Sequence, residues 1–315
     1  MKRFLIITAI TVMVFVVATI GGSLYMLDYS LAPDPERRDT AKCFLELREK
    51  YPEMIPWLDS LNRCHALRDT FVSMPSGERH HAYYVRRDSS QRAAIIVHGW
   101  RDSGIKFFYI ARLYHQLLGC NVLIPDLHAH GLSEGEAITM GWHDRHDVLH
   151  WLSVAAKLFK ADDFCVHGVS MGAATTMNVS GEKMPEAIRN IRFVEDCGYT
   201  SVWDEFRYQL NEEFSLPPFP LLYTTSLLCK LRDGWSFGEA APIEQVSKCP
   251  HPMLFIHGDK DDFVPSHMVR PLYEAKKNRK SLWFAKGSGH ALSYYDHREE
   301  YARKVCDFFK QTEKK

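Results

Sequence analysis

Six short apolar runs recur along the chain and are separated by segments long enough to form helices. They are AAIIVHG, NVLIPD, FCVHG, IRFVED, PMLFIHGD and SLWFAKG. None shows the apolar-polar alternation of a half-exposed strand, so we expect strands that are covered on both faces. Strands that alternate with helices favour an α/β fold with a mostly parallel central sheet flanked by helices. Ligands of such sheets bind at the carboxyl ends of the strands.

Composition restricts the class of partner. The chain has 315 residues, with Lys and Arg together numbering 39 and Asp and Glu together also 39. Because no excess of positive charge is present, we expect no nucleic-acid partner. The sequence contains no internal repeat and no long Gly/Ser linker, which favours one compact domain after a distinct N-terminus.

The N-terminus resembles a membrane-crossing segment. Lys2 and Arg3 precede an uncharged stretch from Phe4 to Leu27, which as a helix is long enough to cross a hydrocarbon layer of about 30 Å. A cleaved signal peptide is the alternative, although the small-x-small cleavage pattern is poorly matched near Gly22. We therefore assign residues 1–30 to an anchor or signal. The positive end predicts a cytoplasmic N-terminus and an extracytoplasmic domain, which signal cleavage would instead secrete.

Three further segments follow from local patterns. Residues 31–70 carry mixed charge and helical spacing, and we predict a helical pre-domain or stalk. From Phe71 two β-rich runs flank a Pro-Ser-Gly turn, which predicts a hairpin at the start of a domain spanning 71–312. An irregular region at about 200–240 contains two helical stretches and predicts a small helical lid.

Eight cysteines raise the possibility of disulfides in an exported protein. Four lie in or beside apolar runs, where we expect buried free thiols: Cys120, Cys165, Cys197 and Cys306. The more plausible candidates for pairing are Cys43 and Cys64, and Cys229 and Cys249, and the sequence leaves their connectivity open. No CxxC pair is present, so neither a zinc ribbon nor a thioredoxin-like site is expected.

The sequence GVSMG spans Gly168 to Gly172 and fits G-x-S-x-G between a predicted strand and a predicted helix. In that context Ser170 occupies a sharp, strained turn, and the backbone amide of Met171 points to where an oxyanion forms. A serine hydroxyl becomes a good nucleophile only when a histidine takes its proton and a carboxylate orients that histidine. Both residue types follow in the next strand-end loops, in FIHGDKDDFVP and FAKGSGHALSYY.

The order serine, aspartate, histidine over these three loops resembles the α/β-hydrolase superfamily from about Phe71 to Lys310. The resemblance implies a catalytic triad of Ser170, Asp261 and His290. Asp262 and, less favoured, Asp196 remain alternatives for the acid. The sequence VHGWRDSG resembles the family's oxyanion loop, which implies that Trp100 donates the second backbone amide beside Met171.

One family turn is altered. PDLHAHGLSEG resembles the family pattern D-x-R-G-H-G-x-S, but His128 stands in place of the arginine and Ala129 in place of the glycine. The change puts in doubt any salt bridge that the arginine would form. We interpret Asp126, His128 and His130 as scaffolding of the turn and not as ligands.

A metal site is a separate hypothesis. His143, His146 and His150 are spaced so that they could share one helix face, and three histidines can bind zinc. Packing of this helix on the sheet is the favoured interpretation, because histidines at such interfaces are commoner than ligands. We therefore expect neither a metal nor a cofactor.

These observations predict a membrane-anchored serine hydrolase that forms an acyl-enzyme at Ser170 and acts on small-molecule carboxylic esters. A peptidase or aminoacyl amidase of the same fold is the alternative, although such enzymes typically carry a propeller or large gating domain. A catalytically silent binding module is a third possibility, which the intact triad disfavours.

Overall fold

The structure is a computed structural model that describes residues 1–312. It divides into two compact units. The helical unit comprises Met1–Ala32 and Ser201–Ala241, and the sheet unit comprises Pro33–Thr200 and the chain from Pro242 onward.

The sheet unit is built on eight strands: β1 Leu67–Ser73, β2 Arg79–Val85, β3 Arg92–Val97, β4 Asn121–Pro125, β5 Asp163–Val169, β6 Asn190–Asp196, β7 Met253–Gly258 and β8 Lys280–Ala285. Their order is β1-β2-β4-β3-β5-β6-β7-β8. Strands β1, β2 and β4 pair antiparallel, and all pairs from β4 to β8 are parallel. The predicted fold class is confirmed, and so is the β1-β2 hairpin.

The described residues contain twelve α-helices, which are numbered in chain order: α1 Lys2–Leu31, α2 Thr40–Lys50, α3 Ile55–Arg63, α4 Phe108–Arg112, α5 Asp144–Phe159, α6 Met171–Ser180, α7 Val202–Phe214, α8 Leu221–Asp233, α9 Pro242–Lys248, α10 Val269–Ala275, α11 Ser293–Asp296 and α12 Arg298–Gln311. Helices α1, α7 and α8 belong to the helical unit.

Strand order places the carboxyl ends of the central strands together. The chain passes from β3 to β4 on one side of β3 and then continues at β5 on the other side. At such a switch point the loops that follow the two strands diverge and leave a crevice between them. The loops after β3 and β5, which hold the predicted oxyanion residues and Ser170, both leave the sheet at this point.

Residues 40–63 differ from the predicted stalk. Cys43 and Leu47 of α2, together with Trp57 and Leu61 of α3, are buried in the hydrophobic core of the sheet unit. The cause is the apolar face that each of these short helices presents, which requires cover from another element. The sheet also begins at Leu67 rather than at Phe71.

The predicted disulfide candidates are wrong, since all eight cysteines are free thiols. Cys43 is fully buried in the core, whereas Cys64 is exposed just after α3, so the two side chains lie in different environments. Cys229 and Cys249 are each buried. The prediction of unpaired thiols at Cys120, Cys165, Cys197 and Cys306 is confirmed, although Cys306 is only half-buried.

Within the helical unit, the last turns of α1 pack on the two other helices. Ser23, Leu27 and Leu31 are buried. Arg232 of α8 forms an ion pair with Asp28 at 2.8 Å. The earlier part of α1 is apolar and exposed. Among the described residues, only α1 is long and apolar enough to cross a membrane.

Candidate active site

Ser170 lies in a strained turn between β5 and α6. Its φ of 59° and ψ of −122° are unusual for a residue with a side chain. The flanking glycines are required by close backbone approaches. A Cβ at Gly168 would lie 1.9 Å from the carbonyl oxygen of Gly172, and one at Gly172 would lie 2.1 Å from that of Val97. The glycines therefore let β5 turn into α6 tightly enough to present the serine at the end of the strand.

Three of the predicted site residues lie in one hydrogen-bonded chain. The Nε2 atom of His290 is 2.8 Å from Ser170 Oγ, and its Nδ1 atom is 2.8 Å from Asp261 Oδ2. Because an ionised carboxylate can only accept, Nδ1 carries the proton and Nε2 accepts from the serine hydroxyl. Ser170, Asp261 and His290 follow β5, β7 and β8, so strand order brings together residues that are far apart in sequence.

The environment of Asp261 keeps the carboxylate ionised. Its side chain is 0% exposed. Burial by itself would raise the pKa of Asp261, but the adjacent imidazoles of His257 and His290 outweigh burial and hold the pKa below its ordinary value. The backbone amides of Phe263 and Val264 donate to the other oxygen, Oδ1, at 3.1 and 2.9 Å. A charged, fully bonded carboxylate therefore faces the histidine.

The two alternative acids have other positions. Asp262 is exposed at the surface of the same loop. The carboxylate of Asp196 is buried and accepts from the hydroxyl of Ser293 at 3.1 Å, while its main-chain oxygen accepts from the amide of Ser170 at 2.8 Å. Burial raises the pKa of Asp196 to about 6. Only Asp261 of the three has a hydrogen bond to His290 among those that the structure describes.

The loop after β3 approaches the serine. A Cβ built on Gly99 would lie 3.5 Å from Ser170 Cβ, and Trp100 is the next residue. Met171 is the first residue of α6, so its amide is one of the amides at a helix start that have no partner within the helix. The predicted oxyanion residues thus lie on the two backbone segments that flank Ser170.

Two buried histidines hold this loop. His98 donates from Nδ1 to the carbonyl of Gly99 at 2.8 Å and accepts at Nε2 from the amide of Leu127 at 2.9 Å. His130 accepts at Nε2 from the amide of Arg101 at 3.1 Å. Burial, reinforced by the neighbouring His98, lowers the pKa of His130 to about 3. Since only a neutral imidazole can accept a hydrogen bond, the lowered pKa preserves the bond to the loop.

Asp126 has the structural role expected from the sequence. It is buried, and its Oδ1 accepts from the amide of Gly104 at 2.7 Å. Its Oδ2 accepts from His81 Nδ1 at 2.8 Å and from the amide of Leu132 at 3.0 Å. A Cβ at Gly131 would lie 2.3 Å from the carboxyl carbon, so this turn needs a glycine there. Asp126 is fully used in fixing the turn after β4.

The three helix-spaced histidines do not form a group of possible metal ligands. His143 precedes α5, on which His146 and His150 lie. Within residues 1–312, two groups of three residues have possible ligand atoms within 4.8 Å of one another, and neither group includes these histidines. Burial lowers the pKa of each of the three.

A sequence model of the alpha/beta hydrolase family matches residues 94–304. The chain belongs to the alpha/beta hydrolase family. Uncharacterized protein YqkD of Bacillus subtilis (strain 168) is 31% identical to this alpha/beta hydrolase over 227 residues, which are 72% of this chain and 73% of that protein.

Solved structures show the same fold. An esterase of Pyrococcus furiosus, Pf2001, superposes with a TM-score of 0.63 at 20% identity and covers 78% of this chain and 90% of its own. An acylaminoacyl peptidase superposes with a TM-score of 0.57 at 14% identity over 78% of this chain. The match spans 41% of the peptidase chain. At these identities the similarity shows the fold.

Two buried polar residues of this alpha/beta hydrolase were not predicted from its sequence. His257 is fully buried, donates from Nε2 to the carbonyl of Val264 at 2.9 Å and lies 3.4 Å from Asp261 Oδ2. Glu195 is fully buried as well, and burial raises its pKa to about 8. The sequence signal for each was a polar residue at the end of an apolar strand, in FIHGD and in FVED.

Proposed function

We propose that the protein is a serine hydrolase that acts on carboxylic esters through an acyl-enzyme at Ser170. One observation carries the proposal: the continuous chain from Asp261 Oδ2 through both nitrogens of His290 to Ser170 Oγ, with 2.8 Å at each step. The distances lie within the range over which a histidine can take a proton from a hydroxyl.

In the acylation step, Ser170 Oγ attacks the carbonyl carbon of the ester while its proton passes to His290 Nε2. The carbonyl electron pair moves onto the oxygen, and the backbone amides of Trp100 and Met171 donate to that oxyanion. Collapse of the tetrahedral intermediate expels the alcohol, which takes the proton from His290. The ionised Asp261 stabilises the imidazolium that forms in between.

Deacylation repeats the sequence with water. His290 takes a proton from the water molecule as its oxygen attacks the acyl carbon, and then returns a proton to Ser170 Oγ as the acid leaves. The sum is ester plus water giving acid plus alcohol, with the enzyme regenerated. The strained backbone of Ser170 fits this role, because it holds the hydroxyl at the end of β5 in a geometry that ordinary turns do not provide.

The experiment is a panel of chromogenic esters of increasing acyl length, aryl esters and aminoacyl anilides, applied to the full-length protein in detergent. We expect ester turnover, and we expect Ser170→Ala to lower it by roughly 10⁴–10⁶. Ser247→Ala is the matched control, since that hydroxyl is bound only to the carbonyl of Glu244 among the described contacts. A fluorophosphonate should label the wild type and the control but not Ser170→Ala.

A serine peptidase or aminoacyl amidase is the second candidate. The structural similarity to an acylaminoacyl peptidase is the observation that favours it. Turnover of the anilides with no turnover of the esters would replace the first proposal by the second. Turnover of both at comparable rates would extend the substrate range to amides.

We also propose that α1 is an uncleaved membrane anchor with the sheet unit outside the cytoplasm. Helix α1 is continuous through Gly21 and Gly22, and its last turns pack on α8. The apolar segment is therefore the first part of a helix whose end belongs to the folded helical unit. A Cβ at Gly22 would lie 3.3 Å from Leu221, a close contact between α1 and α8. On α8 itself, Tyr223, Leu227 and Leu231 are exposed at a spacing of four residues. Such an apolar stripe beside the anchor suits a helix that lies at the membrane surface.

A further inference from the structure

Three possible metal ligands converge at the start of β2, in a group that contains no triad residue. Glu78 directly precedes β2, and His80 lies two residues further on, so their side chains leave the strand on the same face. His128 belongs to the turn after β4, the antiparallel neighbour of β2. The amide of Asp126 donates to the carbonyl of His81 at 2.9 Å, which extends the pairing and brings the turn against Glu78 and His80.

The ligand atoms are close enough to share one ion. Glu78 Oε2 is 2.9 Å from His128 Nδ1 and 3.4 Å from His80 Nε2, and all three ligand atoms lie within 4.8 Å of one another. Tetrahedral zinc with bonds of about 2.0–2.2 Å to nitrogen and oxygen separates its ligand atoms by about 3.4 Å. On binding, the 2.9 Å separation would lengthen to about this value, and the separation of the two histidine nitrogens, which is at most 4.8 Å, would shorten to it.

The surroundings of His80 provide the second observation. Its side chain is 0% exposed, Nδ1 has no hydrogen-bond partner within the described chain, and Asp147 Oδ2 lies 3.5 Å from that nitrogen. A carboxylate therefore faces each ring nitrogen, but a neutral imidazole carries only one proton. A cation bound at Nε2 would keep the proton of the imidazole on Nδ1, where it can donate to Asp147 Oδ2. A carboxylate behind a ligating histidine is the usual outer support of zinc sites.

The position of the His128 ring requires a glycine at position 135. A Cβ at Gly135 would lie 2.8 Å from His128 Nε2 and 2.5 Å from the amide of Ala129. Glu78 and His128 are partly exposed, with side-chain exposures of 34% and 18%, so an ion has a path from solvent.

We infer that Glu78, His80 and His128 form a binding site for a divalent transition metal, with Zn²⁺ the ion whose ligand preferences match a His₂Glu set. The sequence interpretation of His128 as scaffolding did not include this role. The bound ion would join the start of β2 to the turn after β4 and would take a water molecule as its fourth ligand. The turn it fixes carries His130, whose Nδ1 donates to the carbonyl of His128 at 2.7 Å.

The test uses the full-length protein in detergent, stripped with EDTA, dialysed and titrated with zinc against a chromophoric chelator. We expect one zinc ion per chain and a rise in melting temperature on zinc addition. Glu78→Gln and His128→Ala should each abolish both, and Asp147→Asn should weaken binding by roughly 10–100-fold, as loss of an outer partner does. His150→Ala is the matched control and should bind zinc as the wild type does.

A second group of residues could bind zinc in place of the proposed site. Cys197, Asp261 and His290 also have possible ligand atoms within 4.8 Å of one another. His290→Ala should therefore retain zinc. X-ray absorption should show nitrogen and oxygen ligands without sulfur. The inference is overturned if the wild type binds no zinc, if Glu78→Gln and His128→Ala bind it unchanged, or if binding is lost only in His290→Ala. None of these measurements depends on ester turnover, so the outcome is separate from that for the proposed hydrolase.

Discussion

The backbone amide of Arg101 donates to the imidazole of His130 at 3.1 Å, and this bond joins the loop after β3 to the turn after β4. The loop carries Trp100, whose amide we assign to the oxyanion. His130 does not contact the triad in any described hydrogen bond, so we regard it as a positioning residue. Its neutral state is secured by burial, which lowers its pKa to about 3.

We expect His130→Ala to lower kcat by about 10–100-fold with KM little changed, because a displaced oxyanion donor costs transition-state stabilisation more than ground-state binding. His130→Gln, whose side-chain carbonyl can accept from Arg101, should retain most of the rate. Steady-state kinetics on an ester that the wild type turns over measures both. His267→Ala, at an exposed histidine, is the control. Equal losses in kcat for the alanine and glutamine variants would contradict the positioning role.

Asp261 and Asp262 can be separated by paired variants. Asp261→Asn should lower kcat by about 10⁴, because an amide facing His290 Nδ1 favours the wrong tautomer. Asp262→Asn should change kcat little, since that side chain is exposed. Measurement of kcat for both variants decides the assignment, and a larger loss in Asp262→Asn would show that the acid is displaced by one residue.

Glu195 predicts a pH dependence of stability. Burial raises its pKa from an ordinary value of 4.5 to about 8. Folding therefore takes up a proton between these values. The stabilisation is complete below about pH 4.5 and is lost as the pH rises towards 8, with a slope of at most about 1.4 kcal/mol per pH unit.

The isosteric variant Glu195→Gln cannot titrate. Melting temperatures measured from pH 5 to 8 should fall less steeply in the variant than in the wild type. Glu244→Gln, at an exposed carboxylate of α9, is the matched control and should follow the wild type. Parallel curves for all three proteins would contradict a protonated Glu195.

Removal of bound metal by a chelator should not affect ester turnover. We expect prolonged EDTA treatment to leave the initial rate of ester turnover unchanged at a temperature well below melting, while His290→Ala abolishes turnover. The reason is that every step proposed for the reaction uses groups of the chain itself. A loss of turnover on chelation as complete as that in His290→Ala, restored by zinc, would instead place a metal in the mechanism.

The anchor predicts retention in the membrane. The full-length protein should stay in the membrane pellet after alkaline and high-salt washing, and an external protease should reach the sheet unit. Val12→Arg with Val16→Arg should weaken retention, since an arginine near the bilayer centre costs about 2.5–3.5 kcal/mol on the insertion scale. Leu117→Arg, at an exposed apolar residue of the sheet unit, is the control. A soluble product with a new N-terminus near Gly22 would favour a cleaved signal.

The sequence alone was enough to predict the fold class, because covered strands and their helices leave a local imprint in residue type and spacing. It also predicted which strand-end loops hold Ser170, Asp261 and His290, since each residue directly follows its own apolar run. The two glycines around Ser170 belong to this local information, because the tight turn needs them wherever the sheet lies.

Other features depended on contacts between distant segments. The burial of α2 and α3 in the core, the separate environments of Cys43 and Cys64, and the bond from Arg101 to His130 involve partners that adjacent residues do not specify. The convergence of Glu78 and His80 on His128 is of the same kind. A sequence pattern reports the period and polarity of one element, whereas strand order and the packing of a turn decide which side chains meet.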